Sequence, residues 1–418
     1  MSKQNTDQKN NSFFSWLVFL PILAIVLFAW ILGMFPALIA TFSDQVRFPV
    51  EINVWEPSIW MFPTTLCSFI IFTIMILYQK NKLPHLFTRT LKFISKFEIS
   101  NRISFLIIGI MLISYVLLTV SELNVKEPWE DGAFLETFYD DFSLDNLSLS
   151  SKIIPNVFGY VSLEIFDNTR VFLLAASTVC LFLTYLITVQ LSQKRFAGIL
   201  AMSIVLQSTN FLIYDTTLTY PILWIMFLLL SIYFIFKNWY LSLLFFIPSV
   251  FSHPISIGFF PIILIFIITS DLSKKRKLLL LSSYLSILSM GIAYVLTQPV
   301  DAGYSFSLGL VDSFDISKII DAFAIVLSQF RYDGLVVVFI LPLIVCLFLK
   351  SKKGFSNANS VLILIGGTIL MISFIPVLTT MGNTPYRILP LVFFFAIGVG
   401  TLLSKKINLQ DELLSNKL

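Results

Sequence analysis

The sequence predicts an all-α polytopic membrane protein, with about twelve transmembrane helices and external interfacial amphipathic helices. Three observations carry that expectation. The 418 residues are 57% hydrophobic and 12% charged, with a mean hydropathy of +0.88, whereas soluble domains carry roughly 25% charged residues. Apolar runs of about 20 residues, enough to cross a ~30 Å hydrocarbon core, recur along the whole chain. The loops between them alternate between basic and acidic or neutral, the pattern that threads a chain back and forth across a bilayer. No polar interval is long enough for a separate soluble domain. The net charge of +4 lies in short clusters between apolar runs; this is a topology signal and gives no reason to expect nucleic acid as a partner.

Taken in order, the polar N-terminus "MSKQNTDQKNNSFFSW" precedes an apolar run, 17–40, that is too long for a signal-peptide core and lacks a clear small-x-small cleavage site. It reads as a retained first span. A second run covers 59–78, and a basic loop follows it (Lys80, Lys82, Arg89, Lys92, Lys96, Arg102). Together these make an N-terminal two-span segment, residues 1–102. Later basic clusters are Lys194/Arg195, Lys237, "KKRK" at 274–277, Lys350/Lys352/Lys353 and Lys405/Lys406. With Lys3 and Lys9 they put both termini in the cytoplasm. Acidic or neutral loops at 43–57, 121–170, 214–220, 252–254, 298–321 and 377–386 then face outward. The short runs 239–251 and 255–270 keep this alternation only as two helices meeting at "SHP" (252–254). Each half rises only about 20–25 Å, which recesses Ser252, His253 and Pro254 at the floor of an external cavity. Cys67, Cys180 and Cys346 each fall inside an apolar run and read as small core residues, with neither metal-ligand spacing nor a disulfide framework.

The longest external loop, 122–170, holds ten of the chain's 24 acidic residues, six of them within "EPWEDGAFLETFYDD" (127–141). Against them stand Lys126, Lys152 and Arg170. Absence of positive charge alone would satisfy the topology rule. The loop's apolar content asks for more: "PWEDGAFLETFYDDF" and "IIPNVFGYVSLEIF" each place apolar residues at helical spacing, which predicts amphipathic helices lying in the membrane plane. A carboxylate held between such helices is partly desolvated, the setting that turns it into a base. "NLS" at Asn146 is an N-glycosylation sequon in the same loop.

The order of these features resembles the catalytic module of the glycosyltransferase C superfamily, the polyprenyl-phosphate-sugar-dependent membrane transferases. The matching positions are the acidic pair Glu130/Asp131 in "WEDG", Pro155 in the following amphipathic stretch, and Arg170 at the start of the next span. Lys194/Arg195 at a basic turn, Asp215–Pro221 in "YDTTLTYP" and the His-Pro of "FSHPISIGFFP" (251–261) complete the run. The resemblance covers about residues 103–300 and leaves 301–418 as a C-terminal transmembrane segment. Two spans precede the acidic loop, where the family usually has one. No "WWDYG"-like signature and no large C-terminal soluble domain are present, which argues against an oligosaccharyltransferase.

The resemblance implies a sugar transferred from a polyprenyl-phosphate donor to a glycan, lipid or protein acceptor on the extracytoplasmic face of the cell membrane. Asp131 is then the general base, with Glu130 the next candidate. Phosphate is a weak base and leaves without an acid, so the difficult proton is the one on the acceptor hydroxyl. Arg387 in "NTPYRILP" and Arg170 sit at external boundaries where cations are less expected. Two readings are open for each: guanidinium forks on the donor phosphate, or snorkelling interfacial side chains. His253 either contacts the donor or satisfies a broken helix backbone. Asp215, beside Tyr214, either holds the acceptor or shares a divalent cation (Mg or Mn) with Asp131, or is an ordinary turn or N-cap residue. Arg331 and Asp333 in "FRYDG" read as a local pair.

Three rival functions are weighed against this one. A polysaccharide repeat-unit polymerase also joins many spans to charged external loops, but two Arg-rich external loops are missing. A lipid-linked-sugar transporter or flippase would need ionisable groups near the midplane, where these runs are nearly charge-free. A non-catalytic subunit that kept the fold is the third.

Overall fold

A computed structural model describes residues 2–38, 53–125, 153–218, 221–297, 329–378 and 385–404. The regular structure of these residues is all helical, and no strand occurs among them. First come α1 (Ser2–Met34), α2 (Met61–Gln79), α3 (His85–Lys96) and α4 (Asn101–Thr119), which runs into a 3-10 turn at Val120–Asn124. Then follow α5 (Ile153–Phe166), α6 (Val171–Ser192), α7 (Arg195–Leu206), the short α8 (Thr209–Tyr214), α9 (Pro221–Ile235) and α10 (Trp239–Ser252). After a 3-10 turn at Pro254–Gly258 come α11 (Phe259–Thr269) and α12 (Lys274–Thr297). The last group is α13 (Gly334–Lys352), α14 (Ser356–Leu378) and α15 (Leu389–Thr401), with 3-10 turns at Gln329–Tyr332 and Pro385–Ile388 before α13 and α15.

Six stretches among the described residues are long and apolar enough to cross a membrane: Phe13–Met34, Met61–Gln79, Asn101–Asn124, Val171–Ser192, Gly334–Lys352 and Ser356–Ser373. Shorter apolar helices of 10–17 residues accompany them. Local chemistry sets their ends. Ser100, Ser208 and Asp333 cap α4, α8 and α13, accepting from the backbone N–H groups of Ile103, Phe211 and Val336, the orphan donors of a first turn. Gln193 stops α6 in a left-handed conformation (φ 60°).

α15 is buried on nearly every face and packs against α6, α7, α13 and α14, which is why its sequence is apolar all round instead of striped. Its approach to α7 is close: a Cβ on Gly400 would lie 2.3 Å from Thr188 Cγ2 and 2.8 Å from the Ala197 carbonyl. Small residues at such crossings let helix backbones meet where lipid supplies no hydrophobic drive. α1 leans on α13 and α14, so the N-terminal segment packs against the C-terminal one.

Hydrogen bonds define two opposite ends of this bundle. At one end α1, near the start of its apolar stretch, meets the end of α13 and the start of α14, through Ser15, Ser351 and Asn359. Asn357 donates to the Leu191 carbonyl at the end of α6, and Lys350 to carbonyls at the end of α15. Lys194 reaches the Ser95 carbonyl in α3. The basic clusters at 80–102, 194–195, 274–277 and 350–353 therefore gather at this Lys350 end. The other end collects the start of α6, α8, and the 3-10 turns before α13 and α15. It is the Arg387 end.

The expected break at "SHP" is present, with α10 closing at Ser252 and α11 opening at Phe259. α10 packs on α9 and α11 on α14, so the chain parts between different neighbours there. "IIPNVFGYVSLEIF" is helical as α5, packed on α6 and α10 with Pro155, Gly159 and Ser162 buried. The expected amphipathic helix in "PWEDGAFLETFYDDF" and the sequon at Asn146 lie outside the described residues.

Candidate functional site

Asp215 follows α8 and is 1% exposed. It is neither an N-cap nor a solvated turn residue. Its Oδ2 accepts from the Tyr115 hydroxyl of α4 at 2.6 Å, and its carbonyl accepts from Ser177 Oγ of α6 at 2.5 Å. Its Oδ1 has no hydrogen-bond partner among the described residues. Burial pushes the carboxyl up to about 7, with Glu122 adding to the rise and the Tyr115 hydroxyl opposing it. A carboxylate poised there exchanges protons near neutral pH.

Tyr214, the last residue of α8, is buried and stacks edge-on against Tyr386, ring centroids 6.1 Å apart at 71°. This contact joins α8 to the turn Pro385–Ile388, which carries Arg387. Arg387 is 3% exposed, and its Nε and Nη1 have no hydrogen-bond partner among the described residues. A snorkelling arginine keeps its head in water; this one does not. Nor does Asp215 neutralise it, since Asp215 Oδ2 is taken by Tyr115 and Oδ1 is unpartnered. Two buried ionisable groups with open hydrogen-bonding atoms thus stand on adjoining turns, with the Tyr214–Tyr386 pair between those turns. Such orphans cost about 1–3 kcal/mol each, so they call for an explanation.

Arg170 precedes α6 and is 6% exposed. Its Nη1 donates to the carbonyls of Glu122 (3.3 Å) and Val125 (2.8 Å). Asn168 assists by donating to the Leu123 carbonyl at 3.1 Å while its own Oδ1 accepts from the Arg170 N–H. The pair therefore grips the chain where the acidic loop begins. Seven residues on, about 10 Å along α6, Ser177 meets Asp215.

His253 is 4% exposed and ends α10. Its Nδ1 accepts from the Ile255 N–H at 3.2 Å, which assigns the ring proton of the neutral imidazole to Nε2. Ser252 and Ser256 donate to the Pro248 and Ser249 carbonyls, satisfying the helix break. The turn Pro254–Gly258 and the turn carrying Arg387 both pack on α14. Arg331 and Asp333 do not pair. Arg331 Nη2 donates to the Tyr332 hydroxyl, while Asp333 caps α13 and accepts from Ser208 Oγ.

Asp131 and Glu130 lie outside the described residues. Asp215, Tyr214 and Arg387 come together, and Arg170 anchors the loop beside them. Tyr115, Ser177, Asn168 and Tyr386 escaped sequence reasoning. The only signal of Tyr115 and Ser177 was a polar atom inside a nearly apolar run, in "LISYVLL" and "AASTVC", while Asn168 and Tyr386 lie in polar turns that gave none. Among the described residues no group of three or more His, Cys, Asp or Glu side chains could hold a metal ion. Comparison with protein-family models, with curated proteins and with solved structures returns no match.

Proposed function

We propose that this chain is a multi-pass integral-membrane glycosyltransferase of the glycosyltransferase C type. The long apolar helices, the short ones other than the interfacial α5, and α12 together make about twelve crossings; the Lys350 end and both termini are cytoplasmic, and the Arg387 end is extracytoplasmic. The donor is a polyprenyl-phosphate-linked sugar and the acceptor a glycan, lipid or protein hydroxyl. One observation carries the reading: a buried guanidinium with two unpartnered nitrogens sits one aromatic pair away from a buried carboxylate with one unpartnered oxygen, at the end where the acidic loop is rooted. A guanidinium fork matches phosphate oxygens.

Asp131, with Glu130 as alternative, takes the proton of the acceptor hydroxyl as that oxygen attacks the anomeric carbon. The bond to the carrier phosphate breaks, and the departing phosphate keeps the electron pair, its charge met by Arg387. Asp215 orients the acceptor hydroxyl, with Tyr214 walling that position. Asp131 stands six residues past Val125, a reach of at most about 20 Å of extended chain, so Arg170 sets where the base can act. His253 orients the turn beside the donor. Where a divalent cation (Mg or Mn) takes part, Asp215 Oδ1 is an oxygen open to it.

The test is release of polyprenyl phosphate from a panel of synthetic polyprenyl-phosphate hexoses by the purified full chain in lipid nanodiscs. Turnover should fall by about 10²–10⁴-fold in Asp131→Asn at equal protein levels. Loss in Glu130→Gln with Asp131→Asn unaffected would move the base to its neighbour. Full activity in both variants, or no turnover of any donor by the wild type, would sink the proposal.

A further inference from the structure

The stretch behind the second span reads from sequence as a basic loop, yet it is the helix α3, and its two faces differ sharply. At 3.6 residues per turn, Leu86, Phe87, Thr90, Leu91, Phe93, Ile94 and Phe97 fall on one arc of about 160°. Thr88, Arg89, Lys92, Ser95 and Lys96 occupy the other. The apolar arc is not buried against the protein: Leu86 is 74% exposed and Phe93 65%, with Phe87, Leu91 and Ile94 also exposed. Its anchorage lies at its C-terminal end. There Phe97 packs edge-on against Phe196, Lys194 reaches the Ser95 carbonyl, and Arg195 binds both Glu98 Oε1 and the Ile99 carbonyl.

Two further facts fix what covers this face. α3 joins the end of α2 to the start of α4, two helices of membrane-spanning length whose sides are themselves mostly uncovered by protein. It must therefore lie at the level of the bilayer surface. Lys80, Lys82, Arg89, Lys92, Lys96 and Arg102 are all exposed around it, and the acid in this stretch, Glu98, accepts from the Arg195 backbone. An apolar face at acyl-chain depth flanked by cations complements a bilayer carrying negative headgroups.

We propose that α3 is a docking surface for anionic phospholipid. Its apolar arc lies in the acyl boundary, while Arg89, Lys92 and Lys96 hold the headgroup phosphates. Because its C-terminal end is fastened to the α6–α7 turn, lipid held there bears on α6, the helix that follows Arg170 and carries Ser177.

The test uses the full chain, cysteine-free apart from one probe site, in nanodiscs of phosphatidylcholine alone or mixed with phosphatidylglycerol. An environment-sensitive fluorophore at Thr90→Cys should emit as if in hydrocarbon and be quenched by doxyl-labelled lipid. The same probe at Thr88→Cys should report water. Retention of phosphatidylglycerol through purification should exceed that of phosphatidylcholine. It should fall by roughly fivefold for each cation removed in Arg89→Gln, Lys92→Gln and Lys96→Gln. Equal water exposure at Thr88 and Thr90 would overturn the proposal, as would lipid retention indifferent to headgroup charge. A Thr90 probe shielded only after adding a cytosolic protein fraction would assign the face to a protein partner and overturn it equally.

Discussion

The two ends of the bundle treat buried charge in opposite ways. At the Lys350 end, Lys350 Nζ donates to the Thr401 and Leu402 carbonyls at 2.9 and 2.6 Å, and Lys194 donates to Ser95. These ammonium groups cap the last turns of α15 and α3, where unpaired carbonyls and the helix dipole favour a cation. Arg276 leaves two nitrogens unpartnered there, but it is only half-buried, in the run 274–277 at the start of α12. At the Arg387 end, a guanidinium and a carboxylate are enclosed with open hydrogen-bonding atoms and do not pair. Burying charge without partners is expensive. Where a cation serves the fold its donors are consumed; where they are left open, a ligand is the economical explanation.

The sharpest way to break that contrast is to remove each cation and read stability. Lys350→Met orphans two buried carbonyls and should lower unfolding free energy by about 2–5 kcal/mol. Thermal unfolding in micelles would show it, with turnover per folded molecule little changed. Arg387→Met removes a buried charge whose Nε and Nη1 are open and whose interaction is with Tyr386, and should leave stability unchanged or raised. Equal destabilisation by both substitutions would erase the distinction between the ends.

A smaller effect is expected at Arg170. Arg170→Ala frees the Glu122 and Val125 carbonyls and should cost roughly 1–3 kcal/mol, and it should also lower turnover by loosening the root of the acidic loop. Protease cleavage within 126–152 should speed up in that variant. If cleavage is unchanged while turnover falls, Arg170 touches substrate directly.

A third effect concerns Asp215 and depends on pH. Its folded pKa of about 7 lies above the unfolded value of 3.8, so the folded state binds the extra proton between them. Its contribution to stability is therefore full below the unfolded value and is lost as pH rises toward about 7. Asp215→Asn should unfold at a higher temperature than wild type near pH 8, with the gap closing toward about pH 5. Turnover should lose a rising limb centred near 7 in that variant. A gap that is flat with pH would mean Asp215 does not titrate there.

Much of the fold was legible because bilayer thickness and loop charge act on every span alike. The helix near 59–78, the helix end before "HP" at Ser252 and the helix end at Tyr214 all stand where the sequence placed them. The site was legible only in part. Asp215 and Arg387 betrayed themselves as charges at span ends. Their surroundings did not, because Tyr115 and Ser177 are single polar atoms in apolar runs, and only packing brings α4 and α6 to Asp215. α3 hid for a different reason. Its cations dominate the reading of a loop, although the apolar spacing of Leu86, Phe87, Leu91, Phe93 and Ile94 was there to be read at helical period.

The central claim is that the open nitrogens of Arg387 await a lipid-borne phosphate. The direct measurement is binding of a short-chain polyprenyl monophosphate to the full chain in micelles, for wild type, Arg387→Met and Lys353→Gln. Losing charge-assisted bonds to phosphate should weaken binding by about 10–100-fold in Arg387→Met, and Lys353→Gln, an exposed cation at the opposite end, should bind as wild type does. Equal affinity in Arg387→Met and wild type would contradict the account.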